Sequence, residues 1–156
     1  MDDFATLDLH LAIAHHLLIF ALAAVLTFEV AVLRADMTPK DIVRLGRVDM
    51  WYGILAGLIV IVGFARAIYA AKGWAYYSTN MFFWAKIGTF AVIGLLSIIP
   101  TLAILRWRRS LKGDAAFVPA PNEIARSRRI LWLEILLFAL LPAFAAAMAR
   151  GYGMMP

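Results

Sequence analysis

Hydrophobic residues in this chain come in long unbroken runs, not in the period-two alternation of strands or the narrow stripe of a helix lying on a soluble core. Four runs, residues 8–33, 50–71, 81–105 and 130–149, reach the roughly 20 apolar residues that cross a hydrocarbon layer about 30 Å thick. Lipid offers no partner to backbone polar groups, so each spanning segment must be a helix or part of a closed barrel. Runs without alternation are helices. The pattern therefore predicts an all-α polytopic membrane protein: one transmembrane domain over 1–156, folded as a four-helix bundle.

The connections add detail. In the first, Thr38, Pro39 and Asp41 have the spacing of a capping box with proline at the first helical position. Ile42, Val43, Leu45 and Val48 then predict a short interfacial helix on the cytoplasmic face. The second, "KGWAYYST", places Trp and Tyr where aromatic side chains settle at headgroup level. The third, Ser110 to Arg129, contains "VPAPNE" and is expected to be a mobile loop.

Composition agrees with a membrane location, at 64% hydrophobic and 16% charged residues. The chain has no cysteine, which excludes disulfides, thiolate metal sites and cysteine catalysis. The leader "MDDFATLDLH" is acidic where a signal peptide is basic, so the first span is read as retained. A formal charge of +5 raises the possibility of nucleic acid, but the distribution of the cations argues against such a partner. Arg34, Lys40, Arg44 and Arg47 lie in the first connection, and Arg106, Arg108, Arg109, Lys112, Arg126, Arg128 and Arg129 in or beside the third. Both connections lie on one side of the membrane. The positive-inside rule makes that side the cytoplasm, puts both termini outside, and brings the basic flanks against anionic headgroups.

Ionisable residues within the spans are the candidate chemistry. By depth, His10, His15, His16, Arg66 and Lys86 fall in the outer half, whereas Glu29, Asp49 and Glu134 fall toward the cytoplasmic end. The acidic residues are expected to pair with Arg34, Arg47 and Arg129, with a proton path through Glu29 as the sharper alternative. On the third span, at about 100° per residue, Phe90, Ile93, Ser97 and Thr101 share the face of Lys86, as does Pro100. That stripe turns Lys86 toward the bundle interior, against the alternative of snorkelling outward. Pro100 frees a backbone carbonyl that Ser97 or Thr101 is expected to help satisfy. On the first span, small residues (Ala12, Ala23, Thr27, Ala31) surround His16 and leucines surround His15, so His16 is expected to face the interior, although Glu29 falls nearer the His15 face. On the second, Gly53, Gly57, Val60 and Ala67 form a small-residue seam with Asp49, and Arg66 points away from it.

The segments "HHLLIFALAAVLTFEVAVLR", "RVDMWYGILAG", "GFAR", "YYSTNMFFWAKIG" and "LLSIIPTLAILRWRR" resemble an uncharacterised four-span bacterial membrane family over nearly the whole chain. That likeness implies a multi-pass protein of the bacterial inner membrane. More distantly, the layout resembles the haem-containing protoporphyrinogen oxidases of bacteria and the copper-resistance D-type membrane proteins. The oxidases carry an essential histidine in the first helix and an essential lysine in the third, after a W-x-x-x-K pattern. His16 and Lys86 match by helix and depth, while Trp84 lies two residues before the lysine and departs from that spacing.

The resemblance implies a haem b site with His16 or His15 as iron ligand, Lys86 as the catalytic group or second ligand, and Arg66, Tyr77 or Tyr76 holding propionates. No histidine on another span offers itself as second axial ligand. A single-histidine site, a His–Lys site and a haem shared across a homo-oligomer therefore stay open. The competing class is a non-catalytic subunit of a membrane complex, or a small transporter, whose His, Lys and Glu residues form a structural or proton-conducting network. Whether the chain is an enzyme stays open between them.

Overall fold

A computed structural model describes residues 3–69 and 73–155. Five helices follow one another, α1 (Asp3–Val32), α2 (Pro39–Tyr69), α3 (Gly73–Ser78), α4 (Met81–Gly113) and α5 (Pro121–Ala149). Among the described residues no strand is present beyond one isolated bridge, Asn80 to Met154. The four long helices are each apolar and long enough to cross a membrane. α1 packs mainly on α2 and α4 on α5, and the two hairpins close into a bundle through α2–α4 and α1–α5. One end of the bundle carries the α1–α2 and α4–α5 connections and is called the two-loop end. The other carries α3.

Three helices begin or end well outside their apolar runs. The expected interfacial helix is not a separate element but the opening turns of α2, because nothing between Val48 and Trp51 breaks the backbone and Ile42 and Leu45 are fully buried. Thr38 and Asp41 do meet. The Asp41 carboxylate accepts from the Thr38 amide at 2.9 Å and from its hydroxyl at 2.8 Å. The expected mobile loop shrinks to 114–120, since α4 runs on to Gly113 and Pro121 takes the opening position of α5, where its missing N–H costs nothing. The second connection contains the one-turn-and-a-half helix α3, and residues 70–71 of the second expected span lie outside the described residues.

The core is densest at the two-loop end. Leu26 of α1, Leu33 just after that helix, Ile42 and Leu45 of α2, Ile104 and Trp107 of α4 and Leu131 of α5 are sealed from the surface there. Leu17, Phe20, Ile61, Leu95 and Leu136 point outward, as expected of helices whose outer surface meets hydrocarbon.

These burials overturn the expected faces of α1. Leu22, Leu26 and Leu33 are interior, whereas Thr27 and Ala31 are exposed. Glu29 decides the rotation, because a carboxyl is far costlier against lipid than a leucine is within a bundle. The α2 seam is likewise only half interior: Asp49 and Ala67 are buried, but Gly53, Gly57 and Val60 lie on the surface.

The C-terminal segment fastens the start of α4. Asn80 Oδ1 accepts from the Phe82 amide at 2.9 Å, capping the helix, while its Nδ2 donates to the Tyr152 carbonyl at 2.9 Å. The Met81 amide donates to Gly153 O at 2.7 Å and the Met155 amide to Thr79 O at 2.8 Å. Gly153 has φ of 80°, and a Cβ there would fall 2.6 Å from the Phe82 ring, so both backbone and space demand glycine.

Candidate functional site

At the α3 end the helices splay around a cavity of about 680 Å³. Every long helix contributes: Asp8, His15 and His16 from α1, Arg66 from α2, Lys86 and Phe90 from α4, and Phe138, Pro142 and Met148 from α5. Tyr76 and Tyr77 of α3 border it as well. All five residues singled out from the sequence, His15, His16, Arg66, Tyr77 and Lys86, thus border one space.

The histidines differ in their commitments. His16 is exposed, and its Nδ1 lies 2.6 Å from the Ala12 carbonyl. A carbonyl only accepts, so Nδ1 carries a proton, and in the neutral ring Nε2 keeps its lone pair. His15 is the deeper of the two, reversing the expectation that His16 faces the interior. It follows Glu29 and the leucines inward. Its Nδ1 is buried without a hydrogen-bond partner, and its ring lies against α2, with Cε1 3.1 Å from where a Cβ on Gly63 would stand. Gly63 is what lets the imidazole approach. The two rings meet edge to face at 6.4 Å between centroids. His10 is exposed, and its Nδ1 is engaged by the Thr6 carbonyl at 2.7 Å.

Two cations approach from other helices. Arg66 Nε lies 3.7 Å from Asp8 Oδ1, both side chains being about one-third exposed at 32%. Lys86 forms no ion pair among the described residues, and its ammonium lies 5.7 Å from the centre of the Phe83 ring. The aromatic partner of the lysine is therefore Phe83, three residues before it. Trp84 is exposed and donates its indole N–H to the Ser78 carbonyl at 2.9 Å. His15 lies within electrostatic reach of Lys86 and Arg66. Two cationic side chains, Arg66 and Lys86, and one carboxylate, Asp8, border the cavity, so apart from the histidines it carries one positive charge in excess.

Sequence reasoning did not single out Asp8. The signal was there, because Asp8 precedes His15 by seven residues and so shares its face. It also overlooked the α5 wall, whose Phe138, Pro142 and Met148 carry no charge to draw attention. Tyr76 turns out to be structural in part, donating its hydroxyl to the Met148 carbonyl at 3.0 Å.

The cation partners expected for the acidic residues are not formed. Arg34 pairs with Asp36 and Asp41, and none of Glu29, Asp49 and Glu134 has an ion pair among the described residues. Arginines near the two-loop end extend toward the surface, where water and headgroups solvate them. Thr101 spends its hydroxyl on Asp49, at 2.6 Å, and Ser97 donates to the Gly94 carbonyl at 2.8 Å.

Fold and site together define a polytopic four-helix membrane protein with, inside one half of the bundle, a largely apolar cavity that a few charged and polar side chains border. Residues 7–153 match the family described as "Predicted membrane protein (DUF2214)", and the chain belongs to that family. No curated protein and no solved structure matches it.

Proposed function

We propose that this is a bacterial cytoplasmic-membrane protein that binds an amphipathic anion in the cavity at the α3 end, with haem b as the ligand whose chemistry best suits the lining. The observation that carries the reading is the Lys86 ammonium, which has no ion pair among the described residues and borders, with Arg66, a space whose remaining walls are largely apolar. A ligand with an acidic head and a flat hydrophobic body answers both. Its acid groups neutralise the excess charge as charge-assisted hydrogen bonds, and its body lies against Ile59, Phe90 and Phe138.

The residues present fit haem in three respects. His15 has an uncommitted buried ring nitrogen, His16 has a free Nε2 lone pair, and Arg66 and Lys86 are cations for propionates. Bound haem would supply one-electron redox chemistry. This chain's own contribution is to orient the ligand between α1 and α4 and to exclude water from its apolar faces. The positive-inside rule turns the two-loop end to the cytoplasm, so the cavity lies in the outer half of the membrane and the chain ends lie outside. Anionic lipids would then meet the basic two-loop end.

Purified protein in mild detergent, titrated with haem b and in parallel with iron-free protoporphyrin, tests the reading. Both should bind. Loss of Lys86 or Arg66 should weaken both about tenfold, or roughly 1.4 kcal/mol each. His15→Ala should remove the spectral signature of iron ligation while leaving protoporphyrin binding in place. If His16→Ala does so instead, the exposed ring is the ligand. Failure of both porphyrins to bind would sink the proposal.

A further inference from the structure

Toward the two-loop end, three carboxyl groups from three helices meet at one level of the bundle. Tyr52 of α2 donates its hydroxyl to Glu134 Oε2 of α5 at 3.0 Å. One turn away, Asp49 of α2 accepts from Thr101 of α4. Glu29 of α1 lies within electrostatic reach of both other carboxyls. Glu29 is 1% exposed, Glu134 0% and Asp49 9%. By helical rise, this level lies about 20 Å along the bundle from Lys86 and His15.

Among the described residues no cation forms an ion pair with any of the three carboxyls. From α1 comes Glu29, from α2 Asp49 and Tyr52, from α4 Ser97 and Thr101, and from α5 Glu134. Arg108 of α4 is exposed, crosses over Gly46 and acts on Asp49 only at a distance. Glu29 Oε1 and Glu134 Oε1 are both buried and have no hydrogen-bond partner among the described residues. Ionised carboxylates left bare in such a place cost several kcal/mol apiece, so they take up either a metal cation or protons.

Geometry chooses between these. Among the described residues no three of His, Cys, Asp and Glu converge closely enough to hold a metal ion, and a hard cation such as calcium asks for six to eight oxygens. A proton asks for one oxygen. A second cavity, about 440 Å³, is bordered by Asp49, Tyr52, Ser97 and Thr101 beside the cluster, and their oxygens are the polar partners that a water molecule would need.

We propose that Glu29 and Glu134 form a proton-binding site within the membrane, which exchanges protons with water through the cavity beside Asp49. In that exchange the O–H bond at Glu134 Oε1 breaks, the proton joins a water molecule as hydronium, and the electron pair stays on the carboxylate. The Tyr52 hydroxyl, already on Oε2, steadies the anion until a proton returns. Asp49, with one oxygen held by Thr101, receives protons at the wet side.

Infrared spectra of the detergent-purified protein at neutral pH test this directly. A carbonyl band of un-ionised carboxylic acid should be present, shift in D2O, and lose intensity in Glu29→Gln and in Glu134→Gln. A second measurement needs no variant. Dicyclohexylcarbodiimide, an apolar reagent that attacks protonated carboxyls, should modify Glu29 or Glu134 in the wild-type protein, and the adduct should diminish as pH rises. Absence of both band and adduct overturns the proposal, as does a band that survives both substitutions. Protection from the reagent by sodium or calcium chloride at constant pH would mark a metal-cation site and overturn it too.

Discussion

The two halves of this bundle handle buried charge in opposite ways. At the two-loop half the helices close on Leu33, Leu45, Ile104 and Trp107, and the charges enclosed nearby are carboxyls without cations. At the α3 half the helices stand apart around a cavity, and the charges turned into it are cations in excess of carboxylates. The same four helices supply both, so the difference arises from packing. In the closed half the buried carboxyls have beside them only the smaller cavity of about 440 Å³. An open half leaves room for a ligand. Phe90, which borders both cavities, is the partition between them.

The largest expected effect tests whether the closed half holds the fold. Trp107 is wholly buried, and truncation to alanine should cost about 3–5 kcal/mol in reversible unfolding from detergent micelles. Phe90→Ala, at the partition, borders space already open on both sides and should cost clearly less. Equal losses would mean that the two halves do not differ in packing.

Asn80→Ala comes next. Asn80 is fully buried, caps α4 and holds the Tyr152 carbonyl, so its loss frees an amide and a carbonyl together. We expect a cost of about 2 kcal/mol, with amide hydrogen exchange rising first in the opening turns of α4. Because those turns carry Lys86, affinity for the porphyrin proposed to bind at the open half should fall with it. Unchanged affinity would show that the position of Lys86 does not depend on the C-terminal clasp.

Gly63→Ala separates site from stability. A new Cβ would stand 3.1 Å from His15 Cε1, tight enough to make the ring shift by a few tenths of an ångström. Stability should change by no more than about 1 kcal/mol, since the imidazole has the cavity to move into. If haem binds as proposed with His15 as its ligand, the spectrum of the haem-loaded variant should change visibly. A normal spectrum in this variant would argue that His15 is not the ligand.

How much of this was legible in the sequence follows from what each signal measures. Unbroken apolar runs gave the helices, because the hydrocarbon leaves the backbone no alternative. Helix ends were underestimated since Arg44, Arg47, Arg106 and Arg108 ride on helical turns beyond the apolar runs, with their charges directed outward. The stripe Lys86–Phe90–Ser97–Thr101 was a true interior face, yet it serves two places: Lys86 borders the cation-rich cavity, while Thr101 holds Asp49. Angular position reveals a shared face and says nothing of how space along it is divided. The orientation of α1 was misjudged because small residues were weighed above Glu29. The missing ion pairs had a similar origin, in that nearness along the chain does not aim a side chain.

The smallest effect concerns an exposed contact of the closed half. Arg106 donates to Glu123 Oε1 at 2.6 Å, and the indole N–H of Trp107 donates to Oε2 of the same carboxylate at 3.0 Å. The arginine side chain is 61% exposed, so its attraction is screened by water and partly cancelled by the entropy of holding a long side chain still. The indole has no such alternative. It is fully buried, and its N–H needs an acceptor. Arg106→Ala should therefore change stability by no more than about 0.5 kcal/mol. Glu123→Gln should be almost as mild, because the amide oxygen still accepts from Trp107. If Arg106→Ala instead cost about 2 kcal/mol, an ion pair and not indole packing would be closing that end, and the contrast between the halves would rest on charge and not on packing.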